Sequence, residues 1–408
     1  MIWIIAWKNV WRNKLRSLVV ILAIAFGLLG GIFSSAVMKG TGDQRVREAI
    51  RRELSHIQIH HPSFRQDNDA RYVIDGELEK LEHTIDTSRV VAAWSPRIKF
   101  QAMAASANAG TGVMVLGIDP EKEKEVSDIW SLIPDSNGRW FDGCRGVPVI
   151  VGQALAKKLK VKLHSKIVLT FQDMEGNLTG GAFRICGIYR TNNSVFDEMN
   201  VYVQRADISP LLGLPAGNCH EIAVRLKDGE VMEQYQKTLM TAFPGLEIRN
   251  WKEIDPLVAM LDDFMDLYLY LFLGIILLAL GFGIINTMLM AILERTRELG
   301  MLAAIGMNKQ RIFRMILLES VFLSMTGGIA GIVLGAVTTW YFGRTGIDLG
   351  IFAEGFEKLG YSPILYPSLA LVYYINLTLM VIGTGILASI YPARQALKLR
   401  PAEAIRNE

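Results

Sequence analysis

A chain of 408 residues that is 51% hydrophobic, with a mean hydropathy of +0.27, is too apolar for an ordinary soluble protein and too polar to lie wholly in a bilayer. It predicts a few membrane spans plus a substantial water-facing domain. The net charge of +3 and the sequence pI of about 8.6 trace to basic clusters beside apolar segments, so they describe a membrane topology and not a nucleic-acid footprint.

In chain order, residues 1–16 read as an amphipathic elbow helix, with Trp3, Trp7 and Trp11 on one face and Lys8 and Arg12 on another. It can serve as an interfacial anchor, as a lever against a motor, or as both. Four apolar stretches approach or exceed the ~20 residues that cross a bilayer. They give spans at 17–38, 267–293, 312–342 and 368–391. The first follows Lys8, Arg12, Lys14 and Arg16. Arg295, Arg297, Lys309, Arg311 and Arg314 join the second to the third, and Arg394, Lys398, Arg400 and Arg406 follow the fourth. Positive charge at both termini and in the middle loop (294–311) places all three in the cytoplasm, with the tail at 392–408. Residues 39–266 and the short loop 343–367 are then extracytoplasmic. A cleaved signal peptide ending near Ser34-Ser35-Ala36 is disfavoured, because it would remove an anchor that the topology needs.

The outer segment is long enough for its own core. Strand patterns fall at 56–60, 113–117, 147–151, 166–172, 183–189, 200–203, 221–226 and 246–249, and helix patterns at 41–53, 153–159 and 229–243. The fold class is therefore membrane α-helical, with four transmembrane helices, plus a large extracytoplasmic α+β domain. Residues 255–266 run as a helix into the second span without a clear break. Cys144, Cys186 and Cys219 all lie outside, which allows at most one internal disulfide and fits no metal site.

Catalytic signatures are missing. The chain has no GxxxxGK[ST] phosphate loop, GxSxG elbow or HExxH helix, so no ATP hydrolysis is expected of it and no cofactor is assigned to it. His56 and His60 share a strand face at ~13 Å, beyond chelating range. Asn286 and Thr287 are polar within the second span, where interhelical hydrogen bonds are the default and a substrate path the alternative. Gly327, Gly331 and Gly335 form a GxxxGxxxG packing face on the third span, its neighbour unspecified. Phe264, Leu267, Leu271 and Ile275, at the outer end of the second span, are candidates for one wall of a lateral substrate entry.

The stretch 293–318, LERTRELGMLAAIGMNKQRIFRMILLE, is the most informative. Glu294, Arg295, Arg297 and Glu298 cluster just beyond a span. Gly300 and Gly306 bracket the apolar run Met301–Ile305, which includes Leu302 and Ala303, and Asn308 can cap the next helix. A helix this short needs a partner groove for its apolar face.

This stretch resembles the ERTREIGxLRALGA-type coupling segment of the MacB/LolC/FtsX class of ABC transporter permeases. AWKNVWRNKLRSLVVILAIAFG resembles the class's elbow and first span, and YPARQALKLRPAEAIR its PARRAxxxxPxEALR ending. ELSHIQIHHPSF, WKEIDPLVAML and TGIDLGIFAEGFEKLG are similar to the lipoprotein-release branch, the LolC/LolE type. The resemblance implies a porter-like periplasmic part with an inserted β-rich part at about 118–215. It implies an inner-membrane permease that pairs with a second permease, the same chain or a homologue. Two cytoplasmic ATPase subunits that hold the ATP and Mg are implied, as are lipoprotein cargo and a periplasmic acceptor. It also transfers a coupling role to Glu294, Arg295, Arg297, Glu298, Gly300, Leu302, Ala303, Ile305 and Gly306. Arg295 and Arg297 are expected to meet acidic groups on the ATPase, and Leu302 and Ile305 to fill its groove. The chain departs from the class at Met307-Asn308-Lys309, which bears on partner choice. MacB-like efflux and FtsX-like signalling to a cell-wall hydrolase are the alternative functions.

Overall fold

The computed structural model describes residues 2–67, 69–75, 78–215 and 217–397, without the side chains of Ile2, Arg16, Asp262, Asp266, Ala303 and Ala304. The sequence ending at 398–408, which carries part of the third resemblance, lies outside the described residues. The chain divides into two compact units, one of residues 1–42, 263–348 and 364–408, the other of residues 43–262 and 349–363.

The second unit is built on a nine-stranded mixed sheet. Its strands are β1 (Ile57–His60), β2 (Val91–Ala105), β3 (Gly110–Ile118), β4 (Pro148–Gly152), β5 (Lys166–Gln172), β6 (Leu178–Tyr189), β7 (Asn200–Gln204), β8 (Glu221–Leu226) and β9 (Glu247–Asn250). The order is β3-β7-β4-β6-β5-β2-β8-β1-β9, and β2 also pairs with β3, so six strands close into a ring. β2 makes this possible by changing partners along its length. Val91–Arg97 pairs with β8, and Ile98–Ala105 pairs with β3. The ring is filled by alternate residues of its strands, among them Ile98, Phe100, Val115, Val151, Leu169, Phe183 and Val203. A second core, with Ile59, Trp94, Val224, Leu239, Phe243 and Trp251, lies beneath β8-β1-β9. Because the ring begins at Ile98, the β-rich part takes in more of the chain than 118–215. A Cys144–Cys186 disulfide spans 42 residues, and Cys219 is free and buried. The segment Leu349–Pro363 belongs to this unit and is held by an Arg190–Glu357 ion pair at 2.6 Å.

Where β2 changes partners, its side chains form a buried ionic network. Arg97 donates to Glu123 through Nη2 at 2.6 Å and Nε at 3.0 Å, and to Glu221 through Nη1 at 2.9 Å. Lys99 adds a bond to Glu221 at 3.2 Å. Burial pushes the Glu221 carboxyl up, but Lys99 and Arg97 outweigh it and hold the group at about 2. His60, 3.9 Å from Glu221, is driven down to about 4, mainly by burial, so it is neutral near pH 7.

Among the described residues, the first unit holds four helices long and apolar enough to cross a membrane. The spans lie in Lys14–Ala49, Pro256–Glu294, Lys309–Thr345 and Leu371–Ala396, and the elbow helix Ile2–Arg12 precedes them. They share a core that includes Leu28, Ile32, Leu273, Leu323 and Val381. Gly327, Gly331 and Gly335 face the first span of the same chain. A Cβ on Gly331 would stand 2.7 Å from Leu28 Cβ and 2.8 Å from the Ala25 carbonyl oxygen, so only glycine allows this approach.

Candidate coupling site

The second span's helix ends at Glu294, and a separate helix, Thr296–Ala304, follows after Arg295. The chain turns there because the Thr296 hydroxyl donates to the Leu293 carbonyl at 3.0 Å, occupying an acceptor of the last turn. Gly306 terminates the short helix. Its φ of +96° is left-handed, and the Met307 amide returns to the Leu302 carbonyl at 3.0 Å, a Schellman closure. The Asn308 side chain then accepts from the Gln310 amide at 3.1 Å and caps the third span's helix, as its position in the sequence predicts.

Behind the short helix lies a cavity of about 350 Å³ between the elbow helix, the end of the second span and the start of the third. Its lining is apolar apart from Asn9 and two ion pairs. Arg295 donates through Nη1 to both oxygens of Glu319, at 2.9 and 3.3 Å, and through Nη2 to the Asn9 carbonyl at 3.3 Å. Both side chains of that pair are about nine-tenths buried, at 11% and 10% exposure. The Arg295 Nε is also buried and has no hydrogen-bond partner among the described residues. Arg12 Nη2 donates to both oxygens of Glu298, at 2.6 and 2.5 Å, in an exposed pair. One guanidinium thus ties the second span's end to the third span and the elbow, and another ties the short helix to the elbow.

The nine residues expected to couple divide by this geometry. Arg295 turns inward to Glu319, whereas Arg297 is exposed on the same turn. Leu302 packs against the shared span core, and Leu299 and Gly300 are buried. Ile305 is 83% exposed and Met301 53%, so the outward apolar edge is Met301 with Ile305 rather than Leu302 with Ile305. Glu294 lies exposed at the second span's last residue and Glu298 faces Arg12. The Ala303 side chain lies outside the described part. Sequence reasoning missed Asn9, Met301 and Glu319. The last had a signal, since a carboxylate inside an apolar segment implies a buried cation nearby.

The substrate-path candidates form an open stripe, not a closed site. Phe264, Leu267, Leu271 and Ile275 recur at helical spacing and are 45%, 60%, 57% and 57% exposed. Asn286, also exposed, lies about 16 Å further along the helix than Ile275. Among the described residues no group of three His, Cys, Asp or Glu side chains is arranged to hold a metal.

Comparison with known proteins agrees in both halves of the chain. The MacB-like periplasmic core domain matches residues 17–242, and the FtsX-like permease C-terminal domain matches residues 270–401. The lipoprotein-releasing system transmembrane protein LolC of Neisseria meningitidis serogroup B is 24% identical, covering 97% of this chain and 96% of that protein. The macrolide export ATP-binding/permease protein MacB of Escherichia coli is also 24% identical, over 99% of this chain, which spans 60% of the MacB length. The solved periplasmic region of MacB from Actinobacillus actinomycetemcomitans matches 52% of this chain and 96% of its own at 15% identity, with a TM-score of 0.34.

Proposed function

Because the chain belongs to the MacB/LolC/FtsX class of ABC transporter permeases, we propose that it is the force-transmitting subunit of a lipoprotein-releasing transporter in the bacterial inner membrane. Two partner ATPase subunits bind ATP and Mg in the cytoplasm and dock on the Thr296–Ala304 helix through Met301, Ile305 and Arg297. The observation that carries the coupling role is the bracing of that helix, by Arg12–Glu298 outside and Arg295–Glu319 inside. A helix tied to the elbow and the third span passes displacement to both instead of swinging alone.

Both termini lie in the cytoplasm and the α/β unit in the periplasm. The basic clusters favour this orientation, and the Cys144–Cys186 disulfide supports an oxidising compartment for that unit. A second permease, another copy or a homologue, completes the transporter. Cargo enters from the bilayer along Phe264, Leu267, Leu271 and Ile275, with Asn286 deeper on the same span, and passes to a periplasmic acceptor. Lipoprotein cargo is favoured over efflux because LolC and this chain match over nearly the full length of both. A photo-crosslinker at Leu271 or Ile275 in the reconstituted complex tests the reading. It should capture an acylated lipoprotein without ATP and release it on ATP addition. Failure at both positions, with small efflux substrates stimulating the ATPase, would replace lipoprotein release by efflux.

A further inference from the structure

A groove of about 750 Å³ opens in the span unit where the elbow helix meets the first span. Its rim is polar, formed by Arg12, Asn13 and Lys14 at the bend between helices Ile2–Arg12 and Lys14–Ala49. Its wall is apolar. Leu15 and Val19 of the first span and Met290 of the second line it, with exposures of 80%, 59% and 61%. The wall reaches about 7.5 Å along the helix from Lys14 to Val19, the depth over which a lipid passes from phosphate to acyl chain. The rim sets two cations against Glu294, which has an interaction of its own. Lys14 makes no ion pair among the described residues, and Arg12 meets Glu298 through Nη2 alone, leaving Nε and Nη1 as donors.

The height of the groove in the bilayer follows from its neighbour. Trp3, Trp7 and Trp11 are exposed along the elbow helix, the arrangement of an element lying at headgroup level. A cationic rim at that level above an open apolar trough complements a phosphodiester carrying acyl chains better than it complements a free anion, which has no use for the trough.

We propose that this groove binds an anionic phospholipid of the leaflet on which the elbow lies. Its phosphate sits at Arg12 and Lys14, and one acyl chain lies along Val19 and Met290. The consequence for coupling rests on the functional reading above, but the binding does not. Arg12 also holds Glu298 of the coupling helix through Nη2, so a phosphate on Nε and Nη1 shares its charge and weakens that hold. The charge of the leaflet thereby sets how firmly the coupling helix is pinned to the elbow.

The test uses the full chain without any ATPase, in nanodiscs of phosphatidylcholine doped with phosphatidylglycerol, with retained lipids counted by native mass spectrometry. Phosphatidylglycerol should be enriched over its bulk fraction. Lys14→Gln, which removes a charge-assisted contact, and Met290→Trp, which fills the trough, should each cut the enrichment about tenfold. Glu298→Gln, which releases Arg12, should raise it. Retention at the bulk ratio overturns the proposal. So does sensitivity to Lys14→Gln with none to Met290→Trp, or binding of glycerol 3-phosphate to the detergent-solubilised chain as tight as that of the lipid, either of which marks a bare phosphate site. With no ATPase present, failure here leaves docking at Ile305 untouched, and failure of docking leaves this result readable.

Discussion

Replacing Arg295 with Met tests whether the inner ion pair holds the coupling helix in register. The substitution keeps most of the side-chain volume but removes the cation that Glu319 faces at 2.9 Å, in a site where both side chains are about nine-tenths buried. Removing one member of such a pair typically costs about 3–5 kcal/mol, because the remaining charge stays in an apolar cavity. The Asn9 carbonyl also loses its donor, adding about 1 kcal/mol. The double variant Arg295→Met/Glu319→Leu removes both charges and should recover most of that stability, since apolar replacements of buried pairs are often neutral. The assay is thermal unfolding of the detergent-solubilised chain, alongside ATP-driven transport by the assembled complex. The single variant should be destabilised and the double variant stable yet poorly coupled: its ATPase docks through Met301 and Ile305, but less hydrolysis becomes transport. A single variant within about 0.5 kcal/mol of the parent, or a double variant with full transport, would refute the bracing argument.

Three further outcomes are expected. Gly331→Leu forces a side chain into the 2.7 Å gap at Leu28 and should cost about 1–3 kcal/mol of span-unit stability, while Gly283→Ala, whose Cβ meets nothing within 4 Å, should be neutral or mildly stabilising in the same melting assay. Acid should weaken the α/β unit first at its ionic network. Glu221 sits at about 2 in the folded state against an ordinary 4.5, so it adds on the order of 3 kcal/mol above pH 4.5, lost as the pH falls toward 2. His60 adds a loss of the same sign as the pH falls from 6.5 through about 4, so tryptophan-monitored melting should show a steep acid limb that Glu221→Gln flattens. For topology, Leu178→Cys, at a position 76% exposed, should react with an impermeant thiol reagent in spheroplasts and Ile305→Cys should not. Native thiols give little background, since Cys144 and Cys186 are paired and Cys219 is buried.

The sequence made the membrane pattern and most strands legible, because long apolar runs and period-two alternation are local signals. β5 falls at 166–172 as its alternation predicts, and the helix Gln153–Leu159 likewise. β2 was not legible. Pro96 and five alanines argue against a strand, yet Pro96 is tolerated because Val91–Arg97 pairs with β8 alone, with no second strand to require its missing N–H. The ring that β2 closes was therefore hidden too. In the coupling segment the residue set could be read, but not its division. Arg295 and Arg297 are two apart in sequence and look alike, and only the break between two helices sends one inward and leaves the other exposed. The glycine face could be read as a packing face, but that its neighbour is the first span of the same chain depends on tertiary structure. The Cys144–Cys186 pairing was equally unreadable, since three cysteines allow three choices of pair.

The central claim, that the Thr296–Ala304 helix is where the permease meets its motor, is tested most directly at Ile305. Its side chain is 83% exposed and follows the helix end, so Ile305→Asp should leave folding and membrane insertion unchanged. A charge against an apolar groove of the partner costs on the order of 2–4 kcal/mol, a loss of roughly 30- to 1000-fold in affinity. Affinity between the purified, detergent-solubilised permease and its ATPase should fall by that factor. Unchanged affinity in a correctly folded Ile305→Asp chain would contradict the account.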